Sequence, residues 1–275
     1  MPDVGGRIGP YELLERIDVG PRSEVFHARH RVLDTRCALK ILHPRQPERT
    51  ARALIETARL QATIVHPNVV RVLDAGLFED RPFVVSEWID GWTLVAWVNR
   101  YGTLPAPMAL KFLRGVVRGV MALHEQRIVH RDLNPTNVLV DKRLNPRVND
   151  MALAKRLVPG QGRNLLSVEY STLGTPEYMA PEQIKDAGSV DTRADLWTLG
   201  VLLYELVCKD VPFHGDTAQK TLWQVMQGRY VPMRERKPDV PEAVEALCAE
   251  LLRVDPDERL ASAAELSTRI DQITG

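Results

Sequence analysis

The 275-residue chain lacks the features that mark secreted and membrane-spanning proteins. Its three cysteines, Cys37, Cys208 and Cys248, are odd in number and far apart, without the density of a disulfide framework or paired metal-ligand spacing. The most apolar stretch, 199–208, is too short for a membrane span and contains Glu205, and the N-terminus has no apolar core of a signal peptide. We therefore expect a cytoplasmic protein without a membrane span in this chain.

An excess of charge of either sign is also missing, because 36 basic residues balance 36 acidic ones. This balance gives no electrostatic reason to expect nucleic acid or anionic lipid as the main partner. The composition, 44% hydrophobic and 26% charged, is that of a folded globular protein. The length suits one large enzyme domain or two closely packed lobes.

The first ninety residues predict a sheet with one main helix. Apolar and polar residues alternate in short runs over 11–42, which indicates strands joined by hairpins. The run 48–65 contains neither glycine nor proline and predicts a helix that ends before His66. Further strands are predicted at 69–73 and 83–87.

After Asp90 the pattern becomes helical. Apolar residues recur at helical spacing, and helices are predicted at 108–126, 192–208, 216–228, 241–253 and 261–273. We therefore predict an N-terminal extension, a small sheet-rich lobe and a larger helical lobe, at 1–10, 11–89 and 90–275.

The residues suited to catalysis are concentrated in the middle of the chain. Asp132 and Asn137 lie five residues apart in a loop that precedes an apolar strand, and Asp150 follows a second strand, eighteen residues after Asp132. Two carboxylates and an amide oxygen are hard ligands that suit a hydrated divalent cation such as Mg²⁺, which in turn coordinates phosphate oxygens. A polar loop with capping roles is the alternative for this block taken alone.

This block resembles the catalytic loop of protein kinases, and five further motifs match the family in order and spacing between about Tyr11 and Ile273. The matching segments are 37–40, 130–137, 150–152, 174–182, 191–197 and 255–259. The chain is similar to eukaryotic-like, Hanks-type serine/threonine kinases of the bacterial style, with a degenerate glycine-rich loop. The resemblance implies an α+β, two-lobed fold with a small antiparallel-sheet lobe, which has one main helix, and a larger, mostly helical lobe.

The same resemblance implies ATP and Mg²⁺ as cofactors and gives roles to individual residues. Lys40 pairs with the α and β phosphates, and Asp132 orients the acceptor hydroxyl of the protein substrate. Asn137 and Asp150 hold Mg²⁺ against the phosphates. Asn134 stands where the family has a lysine near the γ phosphate, and losing one such donor costs on the order of a hundredfold in rate.

The adenine ring is expected against apolar residues and the segment that connects the two lobes. Core packing is the alternative explanation for the apolar members of this set. Ser86 guards the back of the pocket, and its small side chain predicts a roomy cavity. The residues expected to contact the base are Ile17, Val25, Ala38, Glu87, Ile89 and Leu139.

The glycine-rich loop departs from the family pattern. Of the three glycines that the family places there only Gly20 remains, and Asp18 and Ser23 occupy the other two positions. Glycine lets a backbone approach phosphate closely, and Asp18 repels phosphate at short range. Arg22 at the loop tip compensates in part.

The helix residue that the family pairs with Lys40 is either Glu56 or Thr57. Counting back from the histidine that follows the helix gives Thr57, and a one-residue insertion in the connection gives Glu56. We favour Glu56 because Leu60 then shares its face and supplies an apolar residue, whereas the other register supplies Gln61.

The segment 174–178 resembles the serine/threonine pattern, in which Thr175 shapes the acceptor site. Protein substrates with serine or threonine acceptors are therefore expected. Ser171 and Thr172 are candidate phosphorylation sites, because Arg131 can bind a phosphate group; unmodified polar loop residues are the alternative. Autophosphorylation or a homodimer would make a second copy of the chain a partner.

Two classes of function stay open: an active kinase with reduced turnover, and a pseudokinase that acts as a nucleotide-binding signalling or scaffold module. Retention of Lys40, Asp132, Asn137 and Asp150 favours activity. A small-molecule phosphotransferase is disfavoured by the intact segment 174–182. Outside the site, the resemblance predicts a buried ion pair in the large lobe between Glu182 and Arg259.

Overall fold

The chain forms two compact units, Met1–Asp90 and Gly91–Gly275. The computed structural model describes residues 3–151, 154–157, 175–186, 188 and 190–275. The first unit contains the larger sheet and the second contains most of the helices, so the predicted α+β class is confirmed.

Six antiparallel strands form the sheet of the first unit, in the order β1-β2-β3-β4-β6-β5. The strands are β1 (Arg7–Ile8), β2 (Tyr11–Val19), β3 (Ser23–His30), β4 (Thr35–Leu42), β5 (Val72–Phe78) and β6 (Arg81–Glu87).

The strand predicted at 69–73 is misplaced, since β5 begins at Val72. Val69 and Val70 are buried, but they lie in the connection before the strand. The Val70 carbonyl accepts a hydrogen bond from Gln61 Nε2 at 2.7 Å. The apolar residues at 69 and 70 therefore indicate burial and not a strand. The Val70 carbonyl bonds to a side chain of the preceding helix instead of to a neighbouring strand.

The two faces of β3 and β4 differ in burial, as expected for strands with alternating side chains. On the core face, Phe26, Leu39 and Ile41 are fully buried. The alternating residues Val25 and Lys40 are half-buried on the other face and are register partners. The strand period thus places the lysine on the face opposite the apolar core of the first unit.

Helix α1 (Glu48–Ala62) packs on β5 and β6. It occupies most of the predicted run 48–65. Its buried residues are Thr57, Ala58 and Gln61, which are spaced at helical intervals along one face.

The second unit has five short strands within the described residues: β7 (Gly91–Thr93), β8 (Ile128–Val129), β9 (Val138–Asp141), β10 (Pro146–Val148) and β11 (Lys155–Arg156). Its helices are α2 (Leu94–Tyr101), α3 (Ala106–Glu125), α4 (Pro181–Lys185), α5 (Arg193–Cys208), α6 (Ala218–Gln227), α7 (Met233–Arg236), α8 (Glu242–Leu251) and α9 (Ala263–Thr274).

The five predicted helices of this unit correspond to α3, α5, α6, α8 and α9, while the short helices α2, α4 and α7 were not predicted. Helix α5 is buried over almost its whole length and lies in the core of the unit. Its Trp197 stacks on Phe213 with ring centroids 5.2 Å apart. In the part of the chain that the structure describes, no helix has the length and apolarity needed to cross a bilayer.

The predicted ion pair between Glu182 and Arg259 is confirmed. Two nearly parallel contacts of 2.6 and 2.7 Å join the guanidinium to the carboxylate, and the arginine side chain has no exposed surface. Arg259 also lies over the Trp197 ring, 5.1 Å from its centroid. The pair joins α4 to the segment before α9 and braces the second unit.

Candidate active site

The catalytic loop lies between β8 and β9 in the second unit. His130 is fully buried, and its ring joins two parts of the site. Its Nε2 donates to the Asn149 carbonyl oxygen at 3.1 Å, and its Nδ1 accepts from the Asp132 backbone N–H at 3.3 Å. This residue therefore connects the loop that contains Asp132 to the strand end that precedes Asp150.

Asp195, in the first turn of α5, anchors the loop from outside. One carboxylate oxygen accepts from the His130 backbone N–H at 2.9 Å, and the other accepts from the Arg131 N–H at 3.0 Å. His124 Nε2 lies 2.8 Å from the first oxygen. Burial alone would raise the pKa of Asp195, but its hydrogen bond and charge interaction with His124 lower the pKa below its usual value.

Two asparagines fix the position of Asp132. Asn137 Nδ2 donates to the Asp132 carbonyl oxygen at 2.7 Å and to its carboxylate at 3.2 Å. Asn134 Nδ2 donates to the same two groups at 3.1 and 3.3 Å. Burial raises the pKa of Asp132, and the negative charge of Asp150 raises it further, although His130 and the asparagine bonds oppose this shift.

Asn134 is engaged within the loop. Its side-chain oxygen accepts from the Thr136 backbone N–H at 2.9 Å and from the Thr136 hydroxyl at 2.5 Å, and the residue is 4% exposed. From the sequence we expected only the loss of a lysine at this position. The structure adds a positive role, because the amide joins Asp132 to the next turn of the loop.

Asp150 follows β10 and has a φ of 52°, in the left-handed region that aspartate tolerates better than most residues. The preceding residue, Asn149, donates its N–H to the Asn137 carbonyl oxygen at 2.8 Å. The amide nitrogen of Asn137 is directed to Asp132, which leaves its amide oxygen as the group suited to a metal. One carboxylate and one amide oxygen fit the donor chemistry of Mg²⁺.

In the first unit, the predicted nucleotide-contacting residues lie on one face of the sheet. Lys40 pairs in register with Val25 on β3 and Val84 on β6, and Ala38 pairs with Ser86. All five are half-buried. The predicted Lys40, Val25 and Ala38 therefore share the face opposite the apolar core.

The remaining predicted base contacts lie in different surroundings. Ile17 is 44% exposed at an irregularity in the pairing of β2 with β3. Glu87 ends β6, where its carboxylate accepts from the Arg71 N–H at 2.9 Å, and Ile89 is half-buried after it. Leu139 belongs to the second unit, where it is half-buried on β9. Their contacts to a base stay predictions.

The β2–β3 hairpin, which includes the predicted phosphate loop, turns at residues 20–22. The Gly20 N–H donates to the Ser23 carbonyl oxygen at 2.9 Å. A Cβ added to Gly20 would meet only that oxygen, at an ordinary 3.6 Å, and its φ is not in the left-handed region. The turn therefore does not require the conformational freedom of glycine.

The preferred register of α1, with Glu56 opposite Lys40, stays a prediction. Glu56 is exposed, whereas Thr57 and Gln61 are buried on the side that packs on the sheet. Consecutive residues are about 100° apart around a helix, so the two candidates cannot both face inward. The Thr57 hydroxyl donates to the Ala53 carbonyl oxygen at 2.9 Å. The packing thus gives no support to Glu56 as the residue opposite Lys40.

Of the three predicted residues of the activation segment, the structure describes Thr175. Ser171 and Thr172 lie outside the described residues. Thr175 is exposed, and its carbonyl oxygen accepts from the Tyr178 N–H at 3.0 Å in a short 3₁₀ turn. The roles proposed for these three residues stay predictions.

The anchoring roles of His124, His130 and Asp195 were not predicted from the sequence. The signal was present for Asp195, because a carboxylate within the mostly apolar α5 is costly to bury without partners. His130 was recognised only as part of a motif, and its two ring contacts depend on the fold.

Comparison with known proteins identifies the class. The protein kinase domain family matches residues 11–269, and the chain belongs to this family. The DNA damage-responsive serine/threonine-protein kinase RqkA of Deinococcus radiodurans is 38% identical over 97% of this chain. The serine/threonine-protein kinase PrkC of Bacillus subtilis is 29% identical over 97%, and PknB of Mycolicibacterium smegmatis is 32% identical over 93%.

These relatives are longer than the present chain, which spans 40% of the length of RqkA and 41% of the lengths of PrkC and PknB. The predicted resemblance to bacterial-style serine/threonine kinases is confirmed. The degenerate character of the glycine-rich loop and the assignments of individual site residues are not tested by these similarities and stay predictions.

Proposed function

We propose that the chain is an ATP-dependent protein kinase that transfers the γ-phosphoryl group to serine and threonine hydroxyls of protein substrates. The observation that carries this proposal is the catalytic loop, in which Asn134 and Asn137 fix the carboxylate of Asp132. Membership of the protein kinase family and the names of the relatives support the same activity.

Each polar residue of the site has a role in this proposal. Asp132 orients the acceptor hydroxyl and accepts its proton. Lys40 neutralises charge on the α and β phosphates. Asn137 and Asp150 would hold Mg²⁺, which when bound neutralises the charge of the phosphate oxygens.

The finer features of the activity are also proposals. Serine and threonine specificity is supported by the segment 174–178 and by the names of the relatives. Ser171 and Thr172 are proposed phosphorylation sites, which a second copy of the chain could modify. The cysteine usage supports work in a reducing cytoplasm, and the two compact units support a lobe boundary close to Asp90.

A pseudokinase is the alternative. Its support is the substitution of two loop glycines by Asp18 and Ser23 and of the family lysine by Asn134. The presence of Asp132 with its hydrogen-bonding partners argues against it, and no name among the three relatives described above points to it.

The test is transfer of labelled phosphate from Mg-ATP to a generic protein substrate, beside an Asp132→Asn control. We expect label on serine and threonine with the wild type and a loss of at least about a hundredfold in the variant, because a positioned base contributes 10²–10⁴-fold. Equal incorporation by both proteins would overturn the proposal. A nucleotide-induced rise in melting temperature without incorporation would support the pseudokinase instead.

A further inference from the structure

The β2–β3 hairpin is held by a side chain from outside it. His43 directly follows β4, and its backbone N–H donates to the Arg22 carbonyl oxygen at 2.8 Å. The ring Nε2 donates to the Gly20 carbonyl oxygen at 2.8 Å, and Nδ1 lies 3.3 Å from a carboxylate oxygen of Glu24. One residue thus contacts both ends of the turn and the first part of β3.

Glu24 is charged but only 3% exposed, on the core face of β3. Its second carboxylate oxygen lies 3.3 Å from Arg16 Nε on β2. The Arg16 guanidinium lies over the Phe26 ring, 5.4 Å from its centroid, which limits where it can move. A buried carboxylate is costly unless its charge is paired. The Arg16 guanidinium supplies a positive charge beside Glu24, although among the described residues no hydrogen bond reaches the carboxylate oxygen that faces it.

These contacts add to the order that the Gly20–Ser23 hydrogen bond gives the turn. A loop that binds phosphate loses conformational entropy if it becomes ordered only on binding. A loop that is already ordered in the free protein avoids that loss and binds more tightly. His43 and Glu24 lie where they can produce such order, because their contacts begin at the turn itself.

We propose that His43 is a positioning residue for nucleotide binding that orders the β2–β3 hairpin before the phosphates of ATP arrive. The inference rests on the kinase function proposed above, and it deepens that function at the phosphate loop. His43 acts through the backbone of Gly20 and Arg22, and needs no contact with the nucleotide. The one remaining glycine of this loop, Gly20, does not order the hairpin by itself.

Three variants separate the two ring contacts. His43→Gln keeps an N–H donor near the position of Nε2, His43→Asn keeps one only near Nδ1, and His43→Ala removes both. We expect the asparagine and alanine variants to raise the KM for Mg-ATP about fivefold to tenfold, the size of one lost hydrogen bond, with kcat within about twofold. The glutamine variant should stay within about twofold of the wild type in both constants.

Hydrogen exchange of the nucleotide-free protein provides a readout independent of activity. The backbone amides of 20–24 should exchange faster in His43→Ala and His43→Asn than in the wild type, while those of α3 stay unchanged. The matched control is Arg45→Asn, because Arg45 is exposed two residues further along and has a φ of 62°, which asparagine tolerates. This control should leave the KM and the exchange rates unchanged.

The inference would be overturned by an unchanged KM in His43→Ala, by a loss confined to kcat, or by failure of glutamine to rescue. The two proposals also fail differently. If the wild type transfers no more phosphate than Asp132→Asn, the proposed kinase function fails, and the affinities of the variants for a fluorescent ATP analogue still decide the role of His43. Absence of any nucleotide binding by the wild type would overturn both.

Discussion

The catalytic loop of the second unit and the β2–β3 hairpin of the first differ in how closely they follow the kinase pattern. The catalytic loop keeps Asp132 and Asn137 and departs at Asn134, whereas the hairpin keeps one of three expected glycines. Both are nevertheless fixed by a residue from another element. Asp195 accepts hydrogen bonds from the first, and His43 contacts the turn of the second.

This comparison shows that loss of a sequence motif is not the same as loss of local order. In the catalytic loop, motif residues and the external anchor act together. In the hairpin, His43 at the end of β4 contacts the turn, and we propose that it supplies order there. We therefore expect changes in the first region to affect stability and turnover together, and changes in the second to affect mainly nucleotide affinity.

The largest effect is expected on removing the external anchor of the catalytic loop. Asp195→Asn keeps the size of the side chain, but its neutral amide cannot accept all the hydrogen bonds from His124 and the two loop N–H groups. We expect the free energy of unfolding to fall by about 3–5 kcal/mol, the cost of breaking a buried charged pair. Phosphate transfer should be lost as well.

Chemical denaturation monitored by circular dichroism measures this change. The control is Asp216→Asn, which removes only the surface ion pair with Lys220 and should change stability by less than about 1 kcal/mol. If Asp195→Asn were as stable and active as the wild type, the catalytic loop would not depend on Asp195. The claim that an external residue fixes this loop would then be wrong.

A smaller effect is expected inside the catalytic loop. Asn134→Ala removes the acceptor of the Thr136 N–H and two contacts to Asp132. A typical hydrogen bond contributes about 0.5–1.5 kcal/mol, so the loss of several should lower the free energy of unfolding by about 1–3 kcal/mol. Thr136→Val removes only the hydroxyl contact and should cost less. Wild-type stability in Asn134→Ala would show that the amide does not brace the loop.

His27 is expected to make the stability of the first unit depend on pH. Burial lowers the pKa of this imidazole, and the charge of Arg36 lowers it further. The ring stacks on Trp88 with centroids 4.0 Å apart. Folding therefore favours the neutral ring. The contribution of His27 to stability is fully present above about pH 6.5, the usual pKa of histidine, and is lost as the pH falls towards the lower pKa of His27 in the folded protein.

Stability measured across this pH range should show a weaker acid loss in His27→Gln than in the wild type. His214→Gln serves as the control, because the His214 side chain is 68% exposed. If the free energy of unfolding fell equally with pH in His27→Gln and in the wild type, His27 would not contribute to the pH dependence of stability.

The smallest effect is expected at Glu56. Because this side chain is exposed on α1, Glu56→Ala should change stability by less than about 0.5 kcal/mol. Phosphate transfer should stay within about twofold of the wild type. A loss near a hundredfold in steady-state assays, with normal stability, would show instead that Glu56 pairs with Lys40 as the family pattern predicts.

Much of the architecture could be predicted from short-range patterns. The alternation in β3 and β4 and the helical spacing of α3 each depend on residues close in sequence, and so does the spacing of Asp132, Asn137 and Asp150. The register of α1 could not be predicted, because one residue in the following connection decides which side chain faces the sheet.

The anchors of the two loops could not be predicted for a different reason. Asp195 is 65 residues from His130 in sequence, and an acidic residue in a mostly apolar helix does not indicate which residues it will contact. Likewise, Glu24, Arg16 and His43 belong to different parts of the sheet and meet only through strand pairing. Short-range patterns describe elements, whereas these contacts depend on how the elements pack.

The initial rate of phosphate transfer as a function of Mg-ATP concentration, with Asp132→Asn measured in parallel, is the most direct test of the central claim. We predict a saturable rate clearly above the variant, since the residues proposed for transfer, Lys40, Asp132, Asn137 and Asp150, are present. No rate above that of Asp132→Asn at any Mg-ATP concentration would contradict it.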